Sequence, residues 1–474
     1  MNPTLTTPSP VRPAAAEARA ETAPEAEVAA EVPVEVAVAV DAETGAEFEP
    51  GADAERWPDV ARAPRSALRS RIAEALVHRL ASQLSLRVLL PDGGTFGAGD
   101  GQAPVLRLRR PKDFYRRVGV HGLIGFGESY QAGDWDAEDL PGVLETFAAR
   151  IDAIVPPVFQ KLRHVHGRRR PRAELNTLSG ARENISRHYD LSNELFELFL
   201  DPTMSYSAAL FGENETGAPV GLPSQLDAAQ RRKIDRLLDL AGVGPGTRLL
   251  EIGTGWGELA IRAAARGAHV HSVTISRNQY DYAAQRVAAA SLGDRVTLDV
   301  RDYRELDVPE YGGRYDAIVS VEMLEAVGRE FWPDYFAGLD RLLAPGGRIG
   351  IQTITMPHPH MVASADTYTW IHKYIFPGGL IPSVTAIEDT LAKHTRLRIT
   401  SDLAFGAHYA HTLRLWRERF VAHTGQLAAL GFDGTFRRTW ELYLAYCEAG
   451  FRANRLDVHQ FLITRPEIRR PLSC

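Results

Sequence analysis

Residues 249–257 read Leu-Leu-Glu-Ile-Gly-Thr-Gly-Trp-Gly: a short apolar run carrying one carboxylate, then three alternating glycines. A helical pattern, Glu258 to Arg266, follows at once. That order implies a buried strand turning sharply into a helix. Glycines in such a turn let a ligand press against the backbone, because a Cβ would occupy the ligand's space. The spacing is G-x-G-x-G, with Glu251 two residues before Gly253. It differs from the G-x-G-x-x-G that opens on a pyrophosphate. A nucleotide-like ligand is expected at Glu251, Gly253, Gly255 and Gly257; the alternative is a glycine turn that is purely structural.

The elements that must position this turn recur down the chain. Apolar strands are expected at Arg248–Ile252, Val270–Thr274, Val296–Val300, Ala317–Val321 and Ile349–Ile354, alternating with helical stretches. Such alternation implies an α/β fold, a doubly wound and mostly parallel sheet covered on both faces. Ligands in these sheets bind beyond the carboxyl ends of the strands. Polar residues stand at those ends: Thr274 to Gln279 for ribose hydroxyls, Asp302 for an adenine amino group with Tyr303 flanking the ring, and Glu322 to Glu325. Each alone could be an ordinary loop residue; together they mark one site.

With 474 residues, the chain is long enough for two or three domains. Residues 1–55 are rich in Ala, Pro, Glu and Val with almost no aromatics, and are expected to be a disordered acidic tail. Residues 56–150 read as a small α+β module, with a helix over Ser66–Leu84, strands at 86–96 and 105–109, and a glycine- and aromatic-rich segment from Gly119. A connector, 151–180, contains the basic run Lys161–Arg172, which suits nucleic acid, anionic lipid or simply solvent. Residues 181–474 carry the alternating pattern. Two cysteines exclude a disulfide framework, and no metal-ligand spacing occurs. No apolar run approaches the ~20 residues of a membrane span, and the N-terminus lacks the marks of a secretory signal, so a cytoplasmic protein is expected.

Several longer motifs carry a resemblance. They are His188–Asn193, Phe199–Ser207, the glycine loop, Asp302–Arg304, Ser320–Glu325, Trp370–Gly379 and Phe405–Tyr409. Together they resemble the cyclopropane-fatty-acyl-phospholipid and mycolic acid cyclopropane synthases. The resemblance implies a class I S-adenosylmethionine (SAM) methyltransferase sheet preceded by a small domain for lipid docking and dimerisation. It implies methyl transfer to a cis double bond of an acyl chain, with proton loss to a bound bicarbonate. It places Tyr206 and Ser207 at the amino-acid end of SAM, Gly253, Gly255 and Gly257 behind the methionine, Thr274 and Gln279 at ribose, and Asp302 with Tyr303 at adenine. Trp370, Tyr374 and Phe376 suit an acyl tunnel, although aromatics also dominate ordinary cores. Trp416, Trp440 and Tyr443 are expected in the core.

The anion ligands map only in part. Glu325, Ile354 and Tyr409 match, but Ala208 stands where the family has Cys, Gln352 where it has His, and Glu322 where Gly is frequent. A neutral amide carries no charge for an anion, and a further carboxylate opposes one, so these changes disfavour bicarbonate. The segments Glu322–Gly328 and Ile351–Pro357 resemble an actinobacterial subgroup that makes 10-methylene-stearoyl lipid from oleoyl phospholipid, toward tuberculostearic acid. Glu325 is then expected as the base or its positioning group, with Tyr409 and Gln352 beside it. The resemblance implies further partners: membrane phospholipid, an anionic membrane surface at the inner face, a second copy of the chain and a flavin- or NADPH-dependent reductase, but no nucleic acid. A cyclopropane product is the alternative outcome. A catalytically inactive lipid- or SAM-binding scaffold and methylation of another nucleophile are the remaining readings.

Overall fold

The computed structural model describes residues 53–154, 191–308 and 313–466. Nearly all of the acidic tail, most of the basic connector, the start of the His188–Asn193 motif and Cys474 lie outside the described residues. Those that are described belong to one compact unit, Glu49–Cys474.

The first elements build a small sheet, in the order β2-β1-β3-β4, from β1 (Arg87–Leu89), β2 (Thr95–Phe96), β3 (Val105–Leu108) and β4 (Trp135–Asp136). Helices Ala67–Ala81, Pro111–His121, Leu123–Gln131 and Leu140–Ile154 accompany it. The sequence gives no element for Gly119–Tyr130, because glycine weakens helix propensity by up to ~1 kcal/mol. The structure has two helices there, separated by Gly122 at φ 60°. Close approach is what the glycines provide. A Cβ on Gly119 would lie 2.5 Å from the Arg69 carbonyl oxygen, and one on Gly127 would lie 2.4 Å from the Trp370 indole.

After a short hairpin of β5 (Gly212–Glu213) and β6 (Pro219–Val220) comes the main sheet. Its strands are β7 (Arg248–Ile252), β8 (His269–Thr274), β9 (Val296–Val300), β10 (Tyr315–Val321), β11 (Leu343–Thr355), β12 (Arg398–Ala404) and β13 (Asp457–Thr464). The order is β12-β13-β11-β10-β7-β8-β9. Strands β7 to β11 are mutually parallel, and β13 runs antiparallel to both its neighbours. One face is covered by Trp332–Leu342 and Val384–His394, the other by Leu226–Leu240 and Glu258–Ala265. This is the doubly wound α/β sheet expected from the sequence, with two C-terminal strands added. The order reverses between β7 and β10, so a crevice opens at their carboxyl ends.

A third apolar cluster joins the N-terminal helices to Gly406–Ala422 and Gly434–Arg452. Trp416 and Trp440 sit in it, almost wholly buried. A ring of that size removes roughly 150–250 Å² from water, about 4–6 kcal/mol before entropy is counted. Polar ties fix the register: Arg438 donates to the carbonyls of Tyr130 (2.6 Å) and Trp135 (2.9 Å), and Gln131 donates to Thr439 (2.8 Å).

The tightest approach of a glycine to backbone gives a test. A Cβ on Gly125 would lie 2.0 Å from the Arg117 carbonyl oxygen, backbone that cannot swing away. Gly125→Ala is expected to lose about 1–3 kcal/mol in denaturant unfolding. Gly101→Ala, which meets nothing within 4 Å, should stay within ~0.5 kcal/mol of the parent.

Candidate active site

The crevice at the end of β7 is built on the glycine turn, whose three glycines have φ of 94°, 51° and 92°. Their roles differ. A Cβ on Gly253 would meet the Met323 side chain at 2.8 Å, and one on Gly257 would meet the Ala283 Cβ at 3.0 Å. Gly255 alone of the three has nothing within 4 Å of its built Cβ. All three line the crevice; Gly253 and Gly257 also pack closely against Met323 and Ala283, while the space beside Gly255 is open.

All ten residues expected at the cofactor line this crevice. Glu251 is buried, accepts from Ser272 Oγ at 2.6 Å, and has its carboxyl pushed up to about 8 by burial. Thr274 Oγ donates to Gln279 Oε1 at 3.0 Å, so the two polar groups form one unit at the end of β8. At the end of β9, Arg304 grips Asp302 through Nε (2.9 Å), Nη2 (2.6 Å) and its backbone N–H (3.0 Å). Arg304 and the Glu305 N–H of a capping box thus hold this carboxylate in place at the strand end. Burial raises the Tyr303 phenol, and its ring meets Tyr335 edge-on at 5.2 Å.

Lys233 is the lining residue that sequence reading misses. It is buried, its Nζ donates to Ser207 Oγ at 2.6 Å, and burial pulls its ammonium down to about 8. A signal existed: Ala229, Gln230, Lys233, Ile234 and Leu237 share one helical face and are all buried. Gln230 on that face donates to the Ser207 carbonyl at 2.8 Å. Tyr206 leaves this cluster and shares a 2.8 Å hydrogen bond with the Tyr443 hydroxyl.

Beyond the crevice lies an apolar cavity of about 1550 Å³, well above the ~300–1,000 Å³ of ordinary small-molecule pockets. Trp370 and Phe376 line it, as do Glu325 and Tyr409. Tyr374 is not among the lining residues, which corrects the expected aromatic trio. Its hydroxyl donates to Glu128 (3.1 Å), a carboxylate that also bonds Lys373 and His121. Tyr443, expected in the core, is buried but also faces the cavity. Tyr206, Glu322 and Ala326 line both spaces.

At this junction Glu322 has φ 51°, a left-handed backbone costing a residue with a Cβ about 1–2 kcal/mol. Its Oε1 accepts from the Ala208 N–H (2.9 Å) and from Gln352 Nε2 (2.8 Å), and its Oε2 accepts from the Tyr409 hydroxyl (2.7 Å). Gln352 is fully buried, and Gln460 Nε2 donates to its Oε1 at 2.9 Å, which turns the Gln352 amide N–H toward Glu322. Glu325 is separate: its Oε1 accepts from Thr353 Oγ (2.9 Å) and from the Ile354 N–H, and its buried Oε2 has no hydrogen-bond partner among the described residues. Burial, with Glu322 nearby, pushes Glu325 up to about 8.

Residues 177–461 match the family model described as mycolic acid cyclopropane synthetase. The chain belongs to this family. It is 54% identical over 402 residues to the tuberculostearic acid methyltransferase UfaA1 of Mycobacterium tuberculosis, covering 85% of this chain and 93% of that one. It is 33% identical over 393 residues to the cyclopropane-fatty-acyl-phospholipid synthase of Escherichia coli K12, covering 82% and 93%. Among solved structures, it is similar to the mycolic acid cyclopropane synthase CmaA1 complexed with SAH and CTAB. That likeness has a TM-score of 0.53 at 30% identity, over 62% of this chain and 98% of that one. SAM is the cofactor of the cyclopropane synthetase family, and the chain is a SAM-dependent methyltransferase.

The Glu251 carboxyl yields a pH prediction. Its value rises from 4.5 unfolded to about 8 folded. The stability it contributes is complete below pH 4.5 and is lost as pH rises through about 8. Glu251→Gln should therefore raise the Tm of the ligand-free protein at pH 8, with the gain vanishing toward pH 4.5. A gain independent of pH contradicts the assignment.

Proposed function

We propose that the enzyme methylates the cis double bond of an oleoyl-type phospholipid chain and releases 10-methylene-stearoyl lipid, the precursor of 10-methylstearic (tuberculostearic) acid. The observation that carries this reading is the junction: a polar crevice and a large apolar cavity meet at Tyr206, Glu322 and Ala326. The 54% identity to UfaA1 favours this product over the cyclopropane named for the more distant relatives.

When bound, SAM would supply an electrophilic methyl group for the alkene π pair to take from sulfur. The protein's task is alignment, because an isolated alkene is a weak nucleophile. Asp302 and Tyr303 would hold adenine, Thr274 and Gln279 ribose, and Gly255 the methionine portion. Ser207, fixed by Lys233, and Tyr206 would face the amino-acid end. The cavity walls, with Trp370 and Phe376, would hold the chain and exclude water from the cation left on it. A hydride shift to that cation, then proton loss from the methyl, gives the exocyclic double bond.

The cavity also suggests how the chain enters. Leu68, Ile72 and Leu76, one turn apart on Ala67–Ala81, are 73%, 52% and 48% exposed, and Leu123 is 61% exposed. Ile72, Leu76 and Leu123 line the cavity as well. Arg65, Arg69, Arg71 and Arg79 stand in or beside the same helix. An apolar stripe flanked by arginines suits an anionic membrane surface from which the acyl chain slides inward. No helix among the described residues is long and apolar enough to span a membrane, so docking would be peripheral. A second copy of the chain is a further expected partner. Reduction of the methylene to a methyl branch requires a hydride donor, hence a flavin- or NADPH-dependent reductase.

Expression in an oleate-containing host, followed by lipid mass spectrometry with double-bond localisation, tests the product. An exocyclic methylene at carbon 10 is expected; a cyclopropane restores the synthase reading, and SAM binding without turnover indicates a scaffold. Replacing Leu68, Ile72 and Leu76 together by Ser should weaken binding to phosphatidylglycerol vesicles by about tenfold or more. Unchanged binding contradicts docking through this helix.

A further inference from the structure

We propose that Glu322 is the general base of this reaction, its carboxylate standing where a bound oxyanion would otherwise sit. The inference rests on the alkene-methylation reading above. Three donors from distant parts of the chain converge on this one group: the Ala208 N–H, the Gln352 amide N–H and the Tyr409 hydroxyl, all at 2.7–2.9 Å. Bicarbonate does not fit these residues. The matching ligand Tyr409 and the substituted Gln352 already point at Glu322, and Ala208 has no side-chain donor to add.

The geometry also suits proton transfer. Glu322 lines both the crevice and the cavity, so it stands where the methyl changes hands. Three of its roughly four acceptor positions are filled, leaving one open. Its strained backbone, φ 51°, keeps the carboxylate at the junction at a cost glycine would not incur. Burial raises its affinity for a proton, while the nearby Lys233 ammonium and the three donors restrain the rise. Glu325 is less suited: Thr353 and Ile354 occupy its Oε1, and its raised value leaves it largely protonated at neutral pH. The base role expected of Glu325 thus passes to Glu322, with Tyr409 and Gln352 as positioning residues. In the step itself, the pair of a methyl C–H bond becomes the new carbon–carbon double bond. The proton passes to Glu322, which becomes a neutral acid and returns the proton to solvent after product release.

Three proteins test this: the parent, Glu322→Gln and Glu322→Gly, each assayed on oleoyl phosphatidylglycerol in buffer stripped of carbon dioxide and again with added bicarbonate. SAM affinity is read by calorimetry, and bicarbonate binding by the carbon-13 line width of labelled bicarbonate. The parent should turn over equally in both buffers and leave the line narrow. Glu322→Gln should bind SAM as the parent does yet lose about 100-fold or more in turnover, in either buffer. Glu322→Gly, suited to the left-handed backbone, should broaden the bicarbonate line and regain at least about tenfold of its lost rate when bicarbonate is added. A parent that needs or binds bicarbonate overturns the proposal, as does Glu322→Gln turning over at the parent rate. Proton loss from the methyl is common to methylene and cyclopropane outcomes. A cyclopropane product therefore overturns the product assigned above without touching the base assignment.

Discussion

A half-buried carboxylate between two ligand spaces is costly unless its oxygens are satisfied. Glu322 is such a group, and much of the molecule serves to satisfy it. One donor comes from the loop at Ala208, one from β11 through Gln352, and one from the helix Gly406–Ala422 through Tyr409. Behind Gln352 stands Gln460 on β13, which also donates to the Lys233 carbonyl at 3.0 Å. The sheet register, the C-terminal helices and the cofactor-side helix Leu226–Leu240 therefore meet in one hydrogen-bond network. Displacing any of them leaves a buried donor or acceptor unpaired.

The two ligand spaces have different construction. The crevice is made of strand ends and tight glycine turns, where groups such as Asp302 are held by several bonds before any ligand arrives. Preorganisation of this kind suits a ligand with fixed polar edges. The cavity is walled by helices and aromatic rings and borrows its outer wall from the N-terminal helices. Trp370 joins the parts: its indole faces the cavity, packs on Gly127 and donates to Gln131 at 2.9 Å. The small N-terminal sheet and its helices thus shape the acyl site.

Sequence reading captured the five parallel strands: four because they are largely buried and apolar, and β9, a half-exposed edge strand, because Val296, Leu298 and Val300 alternate with polar residues. It missed β12, largely exposed at the sheet edge, and β13, where His459 and Gln460 interrupt the run. It missed the helices around Gly122 because packing overrides glycine's low propensity. The crevice-lining residues were legible, since the fold class places ligands at strand ends and the resemblance adds Tyr206 and Ser207. Tyr374 was misplaced because a five-residue helix gives too little periodicity to tell cavity face from protein face. The resemblance already set Glu322 beside positions 208, 352 and 409, but the hydrogen bonds that gather them on one carboxylate are seen only in the folded chain.

The central claim is that a methyl transferred at this junction ends as an exocyclic methylene after a hydride shift. Its most direct test uses oleoyl phospholipid carrying deuterium on both alkene carbons, with the product read by carbon-13 and deuterium NMR. Both deuterons on one chain carbon, next to the carbon bearing an exocyclic methylene, is the result predicted. One deuteron on each carbon of a three-membered ring would contradict the account.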